Sequence, residues 1–212
     1  IDLSESISQV GSAIAAYALG AAIGAPVITA MLATWRDKTV LLLTLAVLAT
    51  GSVVISLAAD IVTLHGVRFV IGLAHGVFMA VASNAAVKLV DPLRAGRALS
   101  LVWIGLTLSI AFGVPIGTFF GSYWSWRMVF LAIGGLGLIS ALGLILLMRQ
   151  PPADALHKDH GLKQSLVALL QRELLMAASI AMLVSVATFS FFTFVSSFLL
   201  EITRVQPQVL SF

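Results

Sequence analysis

The sequence predicts an all-α, polytopic membrane protein. It has six membrane-spanning helices and an amphipathic helix on the membrane surface between the fifth and the sixth. Hydrophobic residues make up 60% of the 212 and charged residues only 10%, and the mean hydropathy is +1.09. A soluble domain carries roughly 25% charged residues. Six segments reach the about 20 apolar residues that a helix needs to cross a bilayer. The breaks between most of them are short and polar.

Val10–Leu32 is the first span, and "TWRDKT" ends it. Val40–Ala59 follows and closes at "DIVT"; Leu64–Leu89 closes at "VDPLRAGR". Leu99–Gly121 runs to "SYWSWR", and Val129–Met148 is the fifth span. The stretch Arg149–Glu173 is different. Paired prolines and clustered charges in "RQPPADALHKDH" stop a helix. Beyond them, Leu162, Leu166, Leu169 and Leu170 recur at helical spacing, the mark of an amphipathic surface helix. A solvated linker is the alternative for this stretch. Leu174–Leu199 is the sixth span.

Lysine and arginine set the orientation. With six alternating crossings, nine of the twelve basic residues fall on one side, among them Arg36, Lys38, Lys88, Arg94 and Arg97. Arg68, Arg127 and Arg204 fall on the other. The side with nine is predicted to be cytoplasmic, so Ile1 and Phe212 both lie outside. A net charge of +3 and a pI of about 9.7 then reflect loop residues rather than nucleic-acid binding. The absence of cysteine excludes disulfides and thiolate metal sites; no metal or cofactor is expected. The polar start "IDLSESISQ" lacks a basic, then apolar, signal segment. Together with an outside start, it reads as a piece of a longer chain that has at least one earlier helix.

Two segments carry Gly and Pro inside apolar runs: Gly24–Pro26 in "GAAIGAP" and Gly113–Pro115 in "AFGVPIGTFFG". Proline in a helix interior removes a hydrogen bond at a cost of about 3 kcal/mol. Pro115 is expected to free the carbonyl of Ala111 and bend its helix. Gly105, Ser109, Gly113, Gly117 and Gly121 recur every fourth residue, a spacing that lets helices approach closely in lipid. Gly/Pro interruptions in corresponding helices of two repeats point to a transporter's moving parts; generic helix packing is the alternative.

The segment Leu64–Leu89 holds Arg68, His75 and Asn84. At about 100° per residue, His75 falls within roughly 20° of Arg68 and Asn84 falls on the opposite side from His75. Ionisable groups at membrane depth default to a functional reading. A charge near mid-helix costs at least about 2.5 kcal/mol, so the His75 imidazole is expected to be mostly neutral. It is then both a donor and an acceptor, suited to contact with a polar substrate; carriage of a proton is the second possibility. The structural alternatives are a histidine hydrogen-bonded to a neighbouring helix and an Arg68 that snorkels to the interface.

The whole chain resembles the major facilitator superfamily, in particular its drug:proton antiporter branch and arabinose-efflux-permease-like members. The resemblance is carried by "DLSESISQVGSAIAAYALGAAIGAP", "RFVIGLAHGVFMAV", "GLTLSIAFGVPIGTFFG", "WSWRMVFL" and "FVSSFLLEITRV". It implies a partial major facilitator fold covering about helices two to seven of twelve. Residues 1–148 would form an N-terminal half without its first helix, 149–173 a cytoplasmic central loop, and 174–212 the start of the C-terminal half. The pattern around Pro115 is similar to the antiporter motif, which bends a helix where the two halves meet. Arg68 and Gly72 match the fourth-helix motif, whose arginine is associated with proton coupling. The loop after the second helix departs from the family pattern. Its signature aspartate and arginine fall at Thr34 and Trp35, which puts a gating ion pair built on that aspartate in doubt.

The resemblance implies a secondary transporter that exports a small sugar-like or drug-like molecule in exchange for protons across the bacterial inner membrane. Its partners are the small-molecule substrate, protons, the lipid bilayer and the remaining half of the transporter. A truncated, inactive fragment is one alternative; an intramembrane enzyme or a scaffold is another. The sequence shows no H-E-x-x-H, no Asp or Glu at mid-helix, and no repeated channel filter.

Overall fold

Long apolar runs bounded by polar residues can satisfy their backbone in a bilayer only as helices. The structure, a computed structural model, describes residues 7–148 and, apart from Leu174, Ala181 and Ser185, residues 171–187. The chain divides into two compact units, Ile1–Asp159 and His160–Phe212. In the first lie α1 (Ile7–Ile23), α2 (Thr29–Met31), α3 (Asp37–Leu57) and α4 (Ile61–Lys88). They are followed by α5 (Ala95–Leu108), α6 (Val114–Tyr123) and α7 (Trp126–Leu147). The described part of the second unit contains a shorter apolar helix, Leu175–Val184. The predicted surface helix around Leu166 and the far part of the predicted sixth span lie outside the described residues.

Among the described residues five stretches are long and apolar enough to cross a membrane: Ser12–Met31, Asp37–Leu57, Ile61–Lys88, Pro92–Gly121 and Trp126–Leu147. They correspond to the first five predicted spans. Three helices begin earlier than hydropathy placed them, at Asp37, Ile61 and Trp126 rather than Val40, Leu64 and Val129. Their first turns are polar or held by caps, which an apolar count skips. Asp60 accepts a hydrogen bond from the Thr63 N–H at 2.7 Å, and Ser125 accepts one from the Arg127 N–H at 3.2 Å. The fourth span also starts early, through a 3₁₀ turn at Pro92–Arg94.

The central helix is α3, packed between α4 and α7; α4 in turn carries α1 and α5, and α6 lies against α7. One apolar cluster gathers Ala13, Ile55, Leu64 and Ile71, with Tyr17 and Phe130 against it. A second, nearer the other end of the bundle, gathers Val40, Leu41, Val77 and Val81. Glycine decides how closely two pairs approach. A Cβ on Gly20 would sit on the Phe69 carbonyl oxygen, and one on Gly24 on that of Leu73. From the other side, a Cβ on Gly72 would strike the Tyr17 carbonyl and one on Gly76 that of Ala21. So α1 and α4 meet backbone to backbone over two facing G-x-x-x-G pairs, a contact made by dispersion and weak Cα–H···O bonds rather than by the hydrophobic effect. The second crossing, α3 on α7, brings Gly134 and Gly137 against Ala49.

The face of α5 and α6 away from the bundle presents large apolar side chains, among them Phe112, Val114 and Ile116. None of the most apolar stretch of the span Pro92–Gly121 is buried within the described fold. Such a surface suits lipid or another apolar helix, and it would be costly in water.

Candidate functional site

Arg68 and His75 are the ionisable residues at mid-helix in α4, on the same side as Leu64 and Ile71. Arg68 and His75 are each half-buried, two turns apart on a helix whose buried side is built from Leu64, Ile71, Ala74, Val77 and Val81. The Arg68 guanidinium lies over the Phe130 ring of α7, 4.9 Å from its centroid. That placement partly compensates a cation removed from water. Its Nε–H is buried and has no hydrogen-bond partner among the described residues. The His75 ring meets the Tyr17 ring of α1, with centroids 5.6 Å apart and planes tilted by 48°. Tyr17 is also within electrostatic reach of Arg68. Tyr17 stands beside both α4 residues. Asn84 is exposed, away from this group.

The sequence reading did not anticipate Tyr17 or Phe130. The available signal for Tyr17 was its isolation as the sole aromatic residue between Ile7 and Met31, in a run of small side chains. Its position is fixed by the α1–α4 crossing, because the Tyr17 carbonyl occupies the space that a Cβ on Gly72 would need. Gly72 thus sets the distance between the phenol and the arginine one turn earlier.

Both G-x-P sequences lie in or directly beside π-turns. Gly24–Ile28 is one such turn and contains Pro26. Its Thr29 N–H donates to the Gly24 carbonyl, and the Thr29 hydroxyl donates to the same oxygen at 3.4 Å. The other is Ser109–Gly113, followed by Pro115 at the start of α6. A proline ring clashes with the carbonyl four residues earlier in an α-helix. A wider π-turn moves that carbonyl aside, and π-turns are among the common causes of helix kinks. The small-residue stripe of this helix is open on the described fold. A Cβ on Gly105 would meet nothing within 4 Å, and one on Gly113 would meet only the Ser109 hydroxyl at 3.6 Å. On Gly117 and Gly121 it would find ordinary contact with Val129 at 3.7 and 3.6 Å.

The two ends of the bundle differ in chemistry. At one end, Lys88 of α4 pairs with Asp37 of α3 at 3.1 Å, the sole ion pair among the described residues. At the other end, Asp60 caps α4 and accepts 2.7 Å hydrogen bonds from both the backbone and the hydroxyl of Thr63. These bonds hold its carboxyl below the usual carboxylate range. Nearby, His65 bonds Ser12 of α1 through Nε2 at 2.6 Å, while its Nδ1–H donates to the Ile61 carbonyl at 2.7 Å. No group of three or more His, Asp or Glu able to hold a metal is found among the described residues.

Among the described residues the fold is a multi-pass helical bundle with ionisable groups between its helices and π-turns at its Gly-Pro sites. The Major Facilitator Superfamily model matches residues 2–211, and the chain belongs to that family. It is 33% identical over 202 residues to the inner membrane transport protein YdhP of Escherichia coli, covering 95% of this chain and 51% of that protein. It is 32% identical over 196 residues to a chloramphenicol resistance protein of Streptomyces lividans, covering 92% and 50%. It is 30% identical over 161 residues to the purine ribonucleoside efflux pump NepI of Salmonella paratyphi A, covering 75% and 40%. The chain therefore spans about half the length of these curated relatives, or less.

Proposed function

We propose that the chain is part of a secondary transporter of the bacterial inner membrane that exports a small molecule by alternating access, in exchange for protons. The observation that carries the reading is the placement of Arg68 and His75. They share one face of α4, between rings from α1 and α7, and the Arg68 Nε–H has no hydrogen-bond partner among the described residues. Unsatisfied polar groups at membrane depth are tolerated where they line a watery cavity. The names of the relatives support efflux of a small organic solute.

In this reading the described spans are the second to sixth helices of the fold. Residues 149–173 form a cytoplasmic loop, and 174–212 begin the other half. The Lys38–Lys88 end faces the cytoplasm. The open stripe of α5 and α6 receives the other half of the transporter, and the π-turns at Gly24–Pro26 and Ser109–Gly113 absorb the change between inward and outward states. His75 contacts substrate.

The experiment is export by the whole protein in an efflux-deficient host, screened with drugs, sugars and nucleosides for altered tolerance or accumulation. His75→Gln keeps hydrogen bonding and removes titration, whereas His75→Leu removes both. Retained export in the first and loss in the second supports substrate contact. Loss of proton-driven export in both, with downhill exchange intact, assigns His75 to the proton instead. Wild-type export by both reduces it to packing.

A further inference from the structure

Resting on that reading of the site, we propose that Tyr17, Arg68 and His75 form a donor-lined subsite for the acceptor-bearing end of the substrate. It takes uncharged or anionic molecules with an aromatic body and turns away organic cations.

The argument begins with what each side chain can offer. Arginine has only donors, a phenol has a hydroxyl that donates readily, and a neutral imidazole has one N–H. The Arg68 Nε–H is already removed from water and lacks a protein acceptor among the described residues. A buried donor left in this state loses free energy until an acceptor arrives. The guanidinium carbon lies 4.9 Å from the Phe130 ring centroid, a contact that takes up none of its N–H donors. The Tyr17 ring lies along His75, so the same groups that donate also present aromatic surface.

Charge points the same way. Among the described residues Asp37, Asp60, Asp91 and Glu173 are the acids, and all four stand at helix ends or in loops. Asp37 is paired with Lys88, and Asp60 is engaged by Thr63. The group around Arg68 thus carries an uncompensated positive charge within the described bundle. A second cation placed about 8 Å away, at an effective dielectric constant of about 20, is opposed by a factor on the order of tenfold or more. An anion gains by a comparable factor, and a neutral carbonyl or hydroxyl gains the hydrogen bonds alone.

Tyr17 has a defined place in this. The backbone contact between Tyr17 and Gly72 holds the phenol on α4, so the spacing of the donors is set by two main chains rather than by flexible side chains. Tyr17 is in this sense a specificity-determining residue.

The test uses three probes that share a phenyl ring and differ at one end: phenylacetate, phenylacetamide and 2-phenylethylammonium. Binding to the purified whole protein in lipid nanodiscs is measured by calorimetry. The expected order is carboxylate, then amide, then ammonium. Arg68→Gln should narrow the ratio of carboxylate to ammonium affinity by about a hundredfold, the product of the two opposite effects, and Arg68→Lys should keep most of it. Tyr17→Phe should weaken the carboxylate and amide by roughly threefold to tenfold, as loss of one hydrogen bond does, and leave the ammonium unchanged. Ammonium binding as tight as carboxylate, binding of none of the three, or an unchanged ratio in a monodisperse Arg68→Gln protein overturns the proposal. Solute counterflow in proteoliposomes reads the transport function separately. A protein that exchanges no solute but keeps the probe order has the subsite without the export reading, and one that exports cations in preference has the reverse.

Discussion

Lys38 and Arg127 cap each other's helices. Lys38, in the first turn of α3, donates to the Ile145 and Met148 carbonyls at the end of α7, at 2.9 and 2.7 Å. Arg127, in the first turn of α7, donates to the Ser56 and Ala58 carbonyls at the end of α3, at 2.9 and 2.8 Å. Two antiparallel helices are thus closed at both ends by cations placed on the carbonyls that a helix leaves unsatisfied. The Trp126 ring lies 4.5 Å from the Arg127 guanidinium carbon and steadies the second cap.

Replacing either cation leaves two carbonyls without partners at a membrane boundary. Lys38→Met and Arg127→Met should each destabilise the protein by about 1–3 kcal/mol, read as a lower melting temperature in detergent. The two sites are separated by the length of α3, about 30 Å. Their effects should therefore add to within about 0.5 kcal/mol in the double variant. Strong non-additivity would mean that α3 and α7 separate as a unit once either cap is lost.

The α1–α4 crossing should tolerate no side chain. Gly20→Val and Gly72→Val place a branched Cβ on main-chain atoms, and neither protein should elute as a single species in size-exclusion chromatography. Gly66 on the same helix has nothing within 4 Å of its would-be Cβ. Gly66→Ala should raise stability by about 0.5–1 kcal/mol, the difference between the two residues inside a helix. A well-folded Gly72→Val protein would mean that the helices cross elsewhere.

The helix with the π-turn at Ser109–Gly113 should separate folding from transport. Gly117→Leu adds bulk where the described fold has only ordinary contact, so the protein should reach the membrane and yet lose export. Pro115→Ala restores an N–H and should slow exchange between states, measured as counterflow rate. Normal rates in both variants would make the stripe ordinary packing.

Orientation can be read with single cysteines, because the chain has none of its own. Leu93 is fully exposed in the turn before α5, and Trp124 is 70% exposed at the other end of the bundle. In intact cells Leu93→Cys should react only with membrane-permeant reagents, and Trp124→Cys with impermeant ones. The reverse pattern would turn the molecule over.

Acid should loosen the α4 N-terminus. The folded Asp60 carboxyl titrates below its ordinary 3.8 because Thr63 bonds the charged form. Its stabilising contribution is therefore complete above the unfolded value and is lost as pH falls through the lower, folded one. Asp60→Asn keeps a capping oxygen and should flatten that acid-side loss in a melting series from pH 6 to pH 3. An unchanged slope would place the acid sensitivity elsewhere.

Much of this architecture is local and could be read directly. The spans follow from runs of apolar residues, and the shared face of Arg68 and His75 follows from a seven-residue interval at 100° per residue. What could not be read is what comes from another helix. Phe130 lies under Arg68 and Tyr17 beside His75 because α3 and α4 bring distant parts of the chain together, and no period within α4 encodes that. The early starts at Asp37 and Ile61 were missed for a different reason, since a capped polar turn is helical without being apolar. Gly20 and Gly24 stood in a visible small-residue pair, but their partner pair, Gly72 and Gly76, became evident only with the crossing.

The π-turn at Ser109–Gly113 also settles a problem of angular bookkeeping. On an uninterrupted α-helix, positions four apart drift by about 40° at each step, so Gly105 and Gly121 would point about 160° from each other. One additional residue in the turn rotates everything after it back by about 100°. The five small residues then fall within a sector of roughly 80°, with Gly121 about 60° from Gly105. The widened turn therefore straightens a seam that would otherwise spiral around the helix, and an unbroken α-helix through the same residues would fan it out again.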